Sequence, residues 1–188
     1  MKHRIEYFFF IVFSSFFQIL GLNFSRRLSG FLAFIFYYLV PVRKKTVVDN
    51  LKLAFPEYDS ASINKMAFAV YRSVSITIIE ILTLPKLKRD QVDDIIESEN
   101  PDLLIKKIKE NRGVILLSAH FANWEYAALL GAVHFKIPFT VIVKTLGNPY
   151  VYEWMNKIRT KWNNDVVQLG VSIKKIYQAL KQKKLWLL

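Results

Sequence analysis

Hydrophobic and polar positions divide the chain into a strongly apolar start and a more regularly patterned remainder. Tyr7 to Leu22 (YFFFIVFSSFFQILGL) runs sixteen residues without a charge, and a second apolar stretch, Leu28 to Val42, ends at Pro41 and the cluster Arg43-Lys44-Lys45. As a helix the first run is about 24 Å long at ~1.5 Å per residue, slightly short of a ~30 Å hydrocarbon core. Its aromatic residues fall on every face, which suits a helix in lipid better than one packing a single stripe on a core. No small-residue cleavage site follows, so a secretory signal is disfavoured. Residues 1–42 are expected to form a membrane-associated helical segment. Lys2 and Arg4 precede the first run and Arg26 and Arg27 follow it; the heavier basic cluster after it puts the rest of the chain on the cytoplasmic side.

Beyond residue 43 the periodicity changes. Ile63, Met66, Ala67, Val70, Val74, Ile78, Ile81 and Leu82 keep helical spacing, predicting a helix from Ile63 to Leu84 that Pro85 closes. Gln91 to Glu97 is expected to be a short strand. Asn100 as N-cap, Pro101 at the first helical position, Asp102 in the first turn and Gly113 past the end mark the next helix. Val114 to Ser118 and Pro138 to Val143 are continuous apolar runs of the kind found in buried parallel strands. A helix over Ala122 to Phe135 separates them. Pro149 opens another helix reaching about Trp162, Val171 to Lys184 forms a basic helix, and Leu185 to Leu188 starts a third strand. This order predicts an α/β domain over 43–188, a mostly parallel sheet with flanking helices.

Composition narrows the partners. The chain is 53% hydrophobic with a mean hydropathy of +0.21, rich for a soluble globule and low for a polytopic membrane protein. Lys and Arg number 27 against 15 acidic residues, a net charge of +12, which attracts anionic surfaces and phosphates. No basic segment is interleaved with aromatics as in single-strand binders, so nucleic acid is not an expected partner. The absence of cysteine excludes disulfides and thiolate catalysis, and three scattered histidines make no zinc site. No cofactor is expected.

The candidate chemistry lies in Ser118-Ala119-His120-Phe121-Ala122-Asn123-Trp124-Glu125, where a strand gives way to a helix. On a regular helix an offset of five turns two side chains ~140° apart, so His120 and Glu125 converge only if His120 lies in the turn. A neutral imidazole there can accept the proton of an attacking hydroxyl, and a carboxylate on its other nitrogen fixes the tautomer. The spacing alone is weak evidence, because a histidine at a strand end is often structural.

The longer block GVILLSAHFANWEYAALLG resembles the signature of the lipid A biosynthesis acyltransferase family, which adds lauroyl or myristoyl chains to a lipid A precursor. That family belongs to the wider glycerolipid acyltransferases with an H-x4-(D/E) motif. VVDNLKLAFPEY (47–58) is similar to the family's NL-x-x-x-FPE segment, and Glu80 matches an acidic position near the end of the next helix. Val143-Lys144 with Asn148-Pro149 resembles the segment after the second strand, where the family more often has Arg, and Arg159 matches an arginine on the helix beyond. The resemblance implies O-acyl transfer from acyl carrier protein, or acyl-CoA, to a hydroxyl of a phosphorylated glycolipid. His120 would be the general base and Glu125 its orienting partner. Asn123, Trp124, Lys144 and Arg159 would be substrate-binding residues. It also implies the bacterial inner membrane, with the catalytic domain on the cytoplasmic side.

Two departures stand out. Where the family usually has glycine after the arginine, this chain reads Arg159-Thr-Lys-Trp-Asn-Asn-Asp, so a different local turn is expected. Family members also typically run about a hundred residues further, so the domain is expected to be incomplete at its C-terminus and its activity in this form is an open question. Beside acyl transfer to lipid A stand two alternatives: acylation of another aminolipid or glycolipid, and a catalytically inactive membrane-bound homologue.

Overall fold

The computed structural model describes residues 1–110, 113–169, 177–178, 181 and 185–187. It is a mixed structure of helices and one small parallel sheet, and the chain forms two compact units, one of Ser14–Thr83 and one of Met1–Phe13 with Leu84–Leu188.

The helical unit contains the end of α1 (Lys2–Leu20), then α2 (Leu22–Arg27), α3 (Ser29–Phe34) running into a π-helical turn (Ile35–Leu39), α4 (Lys44–Ala54) and α5 (Ser60–Thr83). Asp59 starts α5 by accepting the Ser62 N–H at 2.8 Å, and the 3-10 turn Leu84–Lys86 containing Pro85 ends it. Ile63, Ala67, Tyr71, Ser75 and Ile79 are buried, a four-residue repeat that keeps one stripe of α5 inward. Ala33 and Ala67 are fully buried and pack with Tyr37 and Tyr71, the small residues leaving room for the rings. Hydroxyls do much of the linking: Ser14 donates to the Leu82 carbonyl at 3.0 Å and Ser25 to that of Phe17 at 3.1 Å. Glu80 is buried and bound by Arg26 at 2.5 Å.

Among the described residues one helix is long and apolar enough to cross a membrane, and it is Ser60–Lys86, half of whose most apolar stretch is buried. This differs from the expectation of an N-terminal anchoring helix. The difference has a local cause: Arg4 and Glu6 in the first turns of α1, with Ser14, Ser15 and Gln18 further on, dilute its apolar run.

The second unit holds the sheet, with all pairings parallel in the order β1–β4–β2–β3, comprising β1 (Val114–Leu116), β2 (Phe139–Val143), β3 (Asp165–Gln168) and β4 (Leu185–Leu187). The expected strands at Val114 and Pro138 are present, but β1 lies at an edge and Ile115 is 51% exposed, so it is not the fully buried strand its composition suggests. The strand expected over Gln91–Glu97 is absent. Arg89–Gln91 is a 3-10 turn, and the Ile95 and Ile96 N–H groups both donate to the Val92 carbonyl, at 3.0 and 3.1 Å. Val92, Ile95 and Ile96 follow i, i+3, i+4 spacing, which a helical turn satisfies and alternation does not.

α6 (Pro101–Lys109) starts at Asn100 with Pro101 first, as the sequence predicts. α7 (Trp124–His134) is apolar on nearly all sides and correspondingly buried from Ala128 to Val133. It packs close enough to β2 that a Cβ on Gly131 would meet the Phe139 ring at 3.1 Å. α8 (Pro149–Arg159) carries the first turns of α1, with Tyr7 on Tyr150 at 5.6 Å and Phe10 edge-on to Trp154 at 4.9 Å. The basic helix expected over Val171–Lys184 falls largely outside the described residues; Tyr177, Gln178 and Lys181 are helical.

Candidate active site

The Ser118–Glu125 segment turns sharply as it leaves β1. The Phe121 N–H donates to the Ala119 carbonyl at 2.8 Å, a tight turn that leaves His120 at its tip. Ala122 then takes φ 47, a left-handed conformation that strains a residue with a Cβ by roughly 1–2 kcal/mol. Strained backbone of this kind concentrates at functional turns. It also sets the helix start: the sequence predicts α7 from Ala122, yet no helix can include that φ. Asn123 becomes the N-cap, its side-chain oxygen accepting the Tyr126 N–H at 3.0 Å.

His120 is exposed and its ring lies on Trp124, 4.8 Å between centroids. Glu125, in the first turn of α7, is buried and clamped by Arg159 from the end of α8, Nε to Oε2 at 3.0 Å and Nη2 to Oε1 at 2.5 Å. Both carboxylate oxygens are thus engaged by the guanidinium fork, the most directional pairing a carboxylate can make. Among the described residues Glu125 is bound to Arg159 and makes no hydrogen bond to His120.

Arg159 Nη1 also donates to the Asn156 side-chain oxygen at 3.4 Å, and the segment that follows makes its own contacts. Lys161 donates to the Pro85 and Leu87 carbonyls at 3.1 and 2.7 Å, and burial pushes its pKa below the usual lysine value. Asn163 takes φ 68, the left-handed conformation that glycine adopts freely and that asparagine tolerates better than most residues. The turn after α8 is therefore built on Asn163. Its neighbour Asn164 is buried, accepting the Phe139 N–H at 2.9 Å and donating to the Ala128 carbonyl at 3.4 Å, which ties β2 to α7.

These elements enclose an open cavity of about 540 Å³ at the C-terminal ends of β1, β2 and β3, the edge where parallel sheets place their ligand sites. His120, Trp124, Glu125, Lys144 and Arg159 line it together. Asn123 stays behind as the helix cap. Lys144 is exposed and has no ion pair or hydrogen bond among the described residues.

A family model described as bacterial lipid A biosynthesis acyltransferase matches residues 1–188. The chain belongs to that family. No curated protein matches it. Its chemistry is acyl transfer in lipid A biosynthesis, in a family that is typically membrane-associated.

Within this acyltransferase several further residues have defined places. Leu146 and Leu169 add apolar wall to the cavity; single leucines beside a turn carry no signal that could have found them. Asn148 is the N-cap of α8, accepting from the Tyr150 and Val151 N–H groups and donating to the His3 carbonyl and Glu6, both at 2.9 Å. Glu80, matched to the family by position, belongs to the helical unit and pairs with Arg26. His134, late in α7, meets Asp93 at 3.0 Å. Among the described residues no cluster of histidines and carboxylates could hold a metal.

Proposed function

We propose that this chain transfers a fatty acyl group from acyl carrier protein, or acyl-CoA, to a hydroxyl of a lipid A precursor, with His120 as general base. The observation that carries the reading is the convergence of His120, Lys144 and the Glu125–Arg159 pair on one cavity. His120 takes the proton of the acceptor hydroxyl, whose oxygen forms a new bond to the thioester carbonyl carbon. Collapse of the tetrahedral intermediate breaks the C–S bond, and the imidazolium returns its proton to the departing thiolate.

Glu125 supports the imidazolium as it forms. Catalytic hydrogen bonds are often long or poorly aligned before substrate binds, so its present engagement by Arg159 is compatible with that role. Lys144 is a point charge suited to a phosphate of the acceptor or the donor, and Leu146 and Leu169 offer apolar surface to the acyl chain. The site works at a membrane on its cytoplasmic side. In support, α1 leaves Phe8, Phe9 and Ile19 at 63%, 64% and 84% exposure, and the net charge of +12 suits an anionic lipid surface.

The test is to incubate membranes containing the chain with acyl carrier protein thioester and a tetra-acylated lipid A precursor, beside His120→Ala. Mass spectrometry should find one added acyl chain in the wild type, reduced by about 10²–10⁴ in the variant. Equal product from both would sink the mechanism.

A further inference from the structure

The helical unit has a cavity of its own, independent of the acyl-transfer site. It holds about 280 Å³ and is walled by Phe36 after α3, Val42 and Val47 around the start of α4, and Val70, Val74 and Ile78 on α5. Those walls are apolar. The volume is roughly twice that of a ~150 Å³ apolar cavity that accepts one benzene ring, enough for part of one alkyl tail and small for two.

One cationic side chain joins the lining. Arg43 lines the cavity and is the one member of its cluster without a protein partner among the described residues: Lys45 is paired with Asp49 at 2.6 Å and Lys44 lies over the Tyr37 ring at 3.7 Å. Arg43 also adopts φ 53 as the residue before α4, whose first turn has neither a side-chain cap nor an acidic residue. The free N–H groups and positive end of that helix therefore add to the guanidinium's charge. The corner is fixed rather than loose, because the Tyr71 hydroxyl donates to the Val42 carbonyl.

We infer that this cavity binds the alkyl tail of an anionic amphiphile, its head group paired with Arg43. An apolar cavity lined also by one guanidinium with no partner among the described residues matches an extended hydrocarbon with one negative end. A neutral sterol-like or aromatic ligand would leave Arg43 unused. A carboxylate and a phosphate meet a guanidinium in the same forked geometry, so a fatty acid and a lysophospholipid share the chemistry that recognises this site.

The experiment uses the full chain in phosphatidylcholine vesicles with palmitic acid carrying a diazirine at its ω end, followed by peptide mapping. Photolabel should concentrate on Val70–Ile78. Arg43→Gln should weaken labelling by about tenfold while leaving the methyl ester of the same probe unaffected. Val74→Trp, at a position 47% exposed and so tolerant of bulk, should abolish labelling by both probes by filling the slot. Circular dichroism checks that each variant is folded. Competition by unlabelled palmitate or by lysophosphatidylglycerol then tells which head group is preferred. Labelling spread evenly over the exposed face of α1, or indifferent to either substitution, or competed by neither lipid, would overturn the assignment. No acyl transfer is read, so the outcome is independent of the proposed activity.

Discussion

Replacing Arg159 by methionine asks whether the Glu125 carboxylate depends on its partner. An exposed ion pair contributes ~0–1 kcal/mol, whereas orphaning one member of a buried pair costs about 3–5 kcal/mol. Here the side chains are 13% and 11% exposed and joined at 2.5 Å, with a second bond at 3.0 Å. That places the pair near the buried limit. The carboxylate also faces the open cavity, where water reaches it once the guanidinium is gone, which brings the expected loss to the lower end, about 3 kcal/mol. At ~2–4 °C per kcal/mol for a chain of this size, Tm should fall by roughly 6–12 °C.

A double-mutant cycle separates this from lost packing. Glu125→Gln with Arg159→Met should lose less than the sum of the two single changes by about 2 kcal/mol, because neither partner is then left charged and alone. Thermal unfolding in a neutral detergent, followed by tryptophan fluorescence, reads all four proteins; Trp124, Trp154 and Trp162 all lie in the unit concerned. A single-variant Tm within about 2 °C of wild type, or a cycle that is simply additive, would refute the claim that Arg159 neutralises a buried carboxylate.

Other expectations follow from individual geometries. Lys144→Ala should leave Tm unchanged, since the side chain is exposed and unpartnered, but raise KM for the phosphorylated acceptor about tenfold with little change in kcat; Lys144→Arg should restore it. Ala122→Gly should raise stability by roughly 0.5–1 kcal/mol, the relief of φ 47 exceeding glycine's extra unfolded freedom, whereas Ala122→Val should lower Tm. Hydrogen bonds from Ser62, side chain first and backbone second, hold the Asp59 carboxyl below the usual aspartate value. Its support of the α5 start is therefore present above the ordinary aspartate pKa and lost as pH falls through the depressed one. An NMR titration should place the Asp59 midpoint below the usual aspartate value, and Asp59→Ala should remove that part of the acid dependence.

Legibility in the sequence followed the physics of each element. α5 was readable because many apolar positions repeat on one face, and α6 because Asn100, Pro101 and Asp102 each mark a different feature of a helix start. β2 was readable as a continuous apolar run. β3 was not: Asp165-Val166-Val167-Gln168 offers two apolar residues between polar ones, and only pairing with β2 over four residues makes it a strand. The segment 91–97 failed in the opposite sense, expected as a strand while its spacing fitted a turn.

The site shows the same division between local and tertiary information. That His120 sits in a turn at the strand-to-helix change can be argued from neighbouring residues alone, although the helix starts at Trp124 and not at the expected Ala122. The partner of Glu125 cannot. Arg159 lies 34 residues further along, and reaches the carboxylate only because α7 and α8 pack side by side and the turn after α8, with Asn163 in the left-handed region, carries the chain back under β2. A spacing motif ties Glu125 to His120 by proximity in sequence, whereas the fold gives its two oxygens to a guanidinium. Since the carboxylate is buried and His120 is exposed, the charge of Glu125 needs a fixed counter-ion whether or not substrate is present, and His120 can turn toward it only as far as that clamp permits. The H-x4-E spacing thus sets which residues can meet, and Arg159 sets the geometry in which they do.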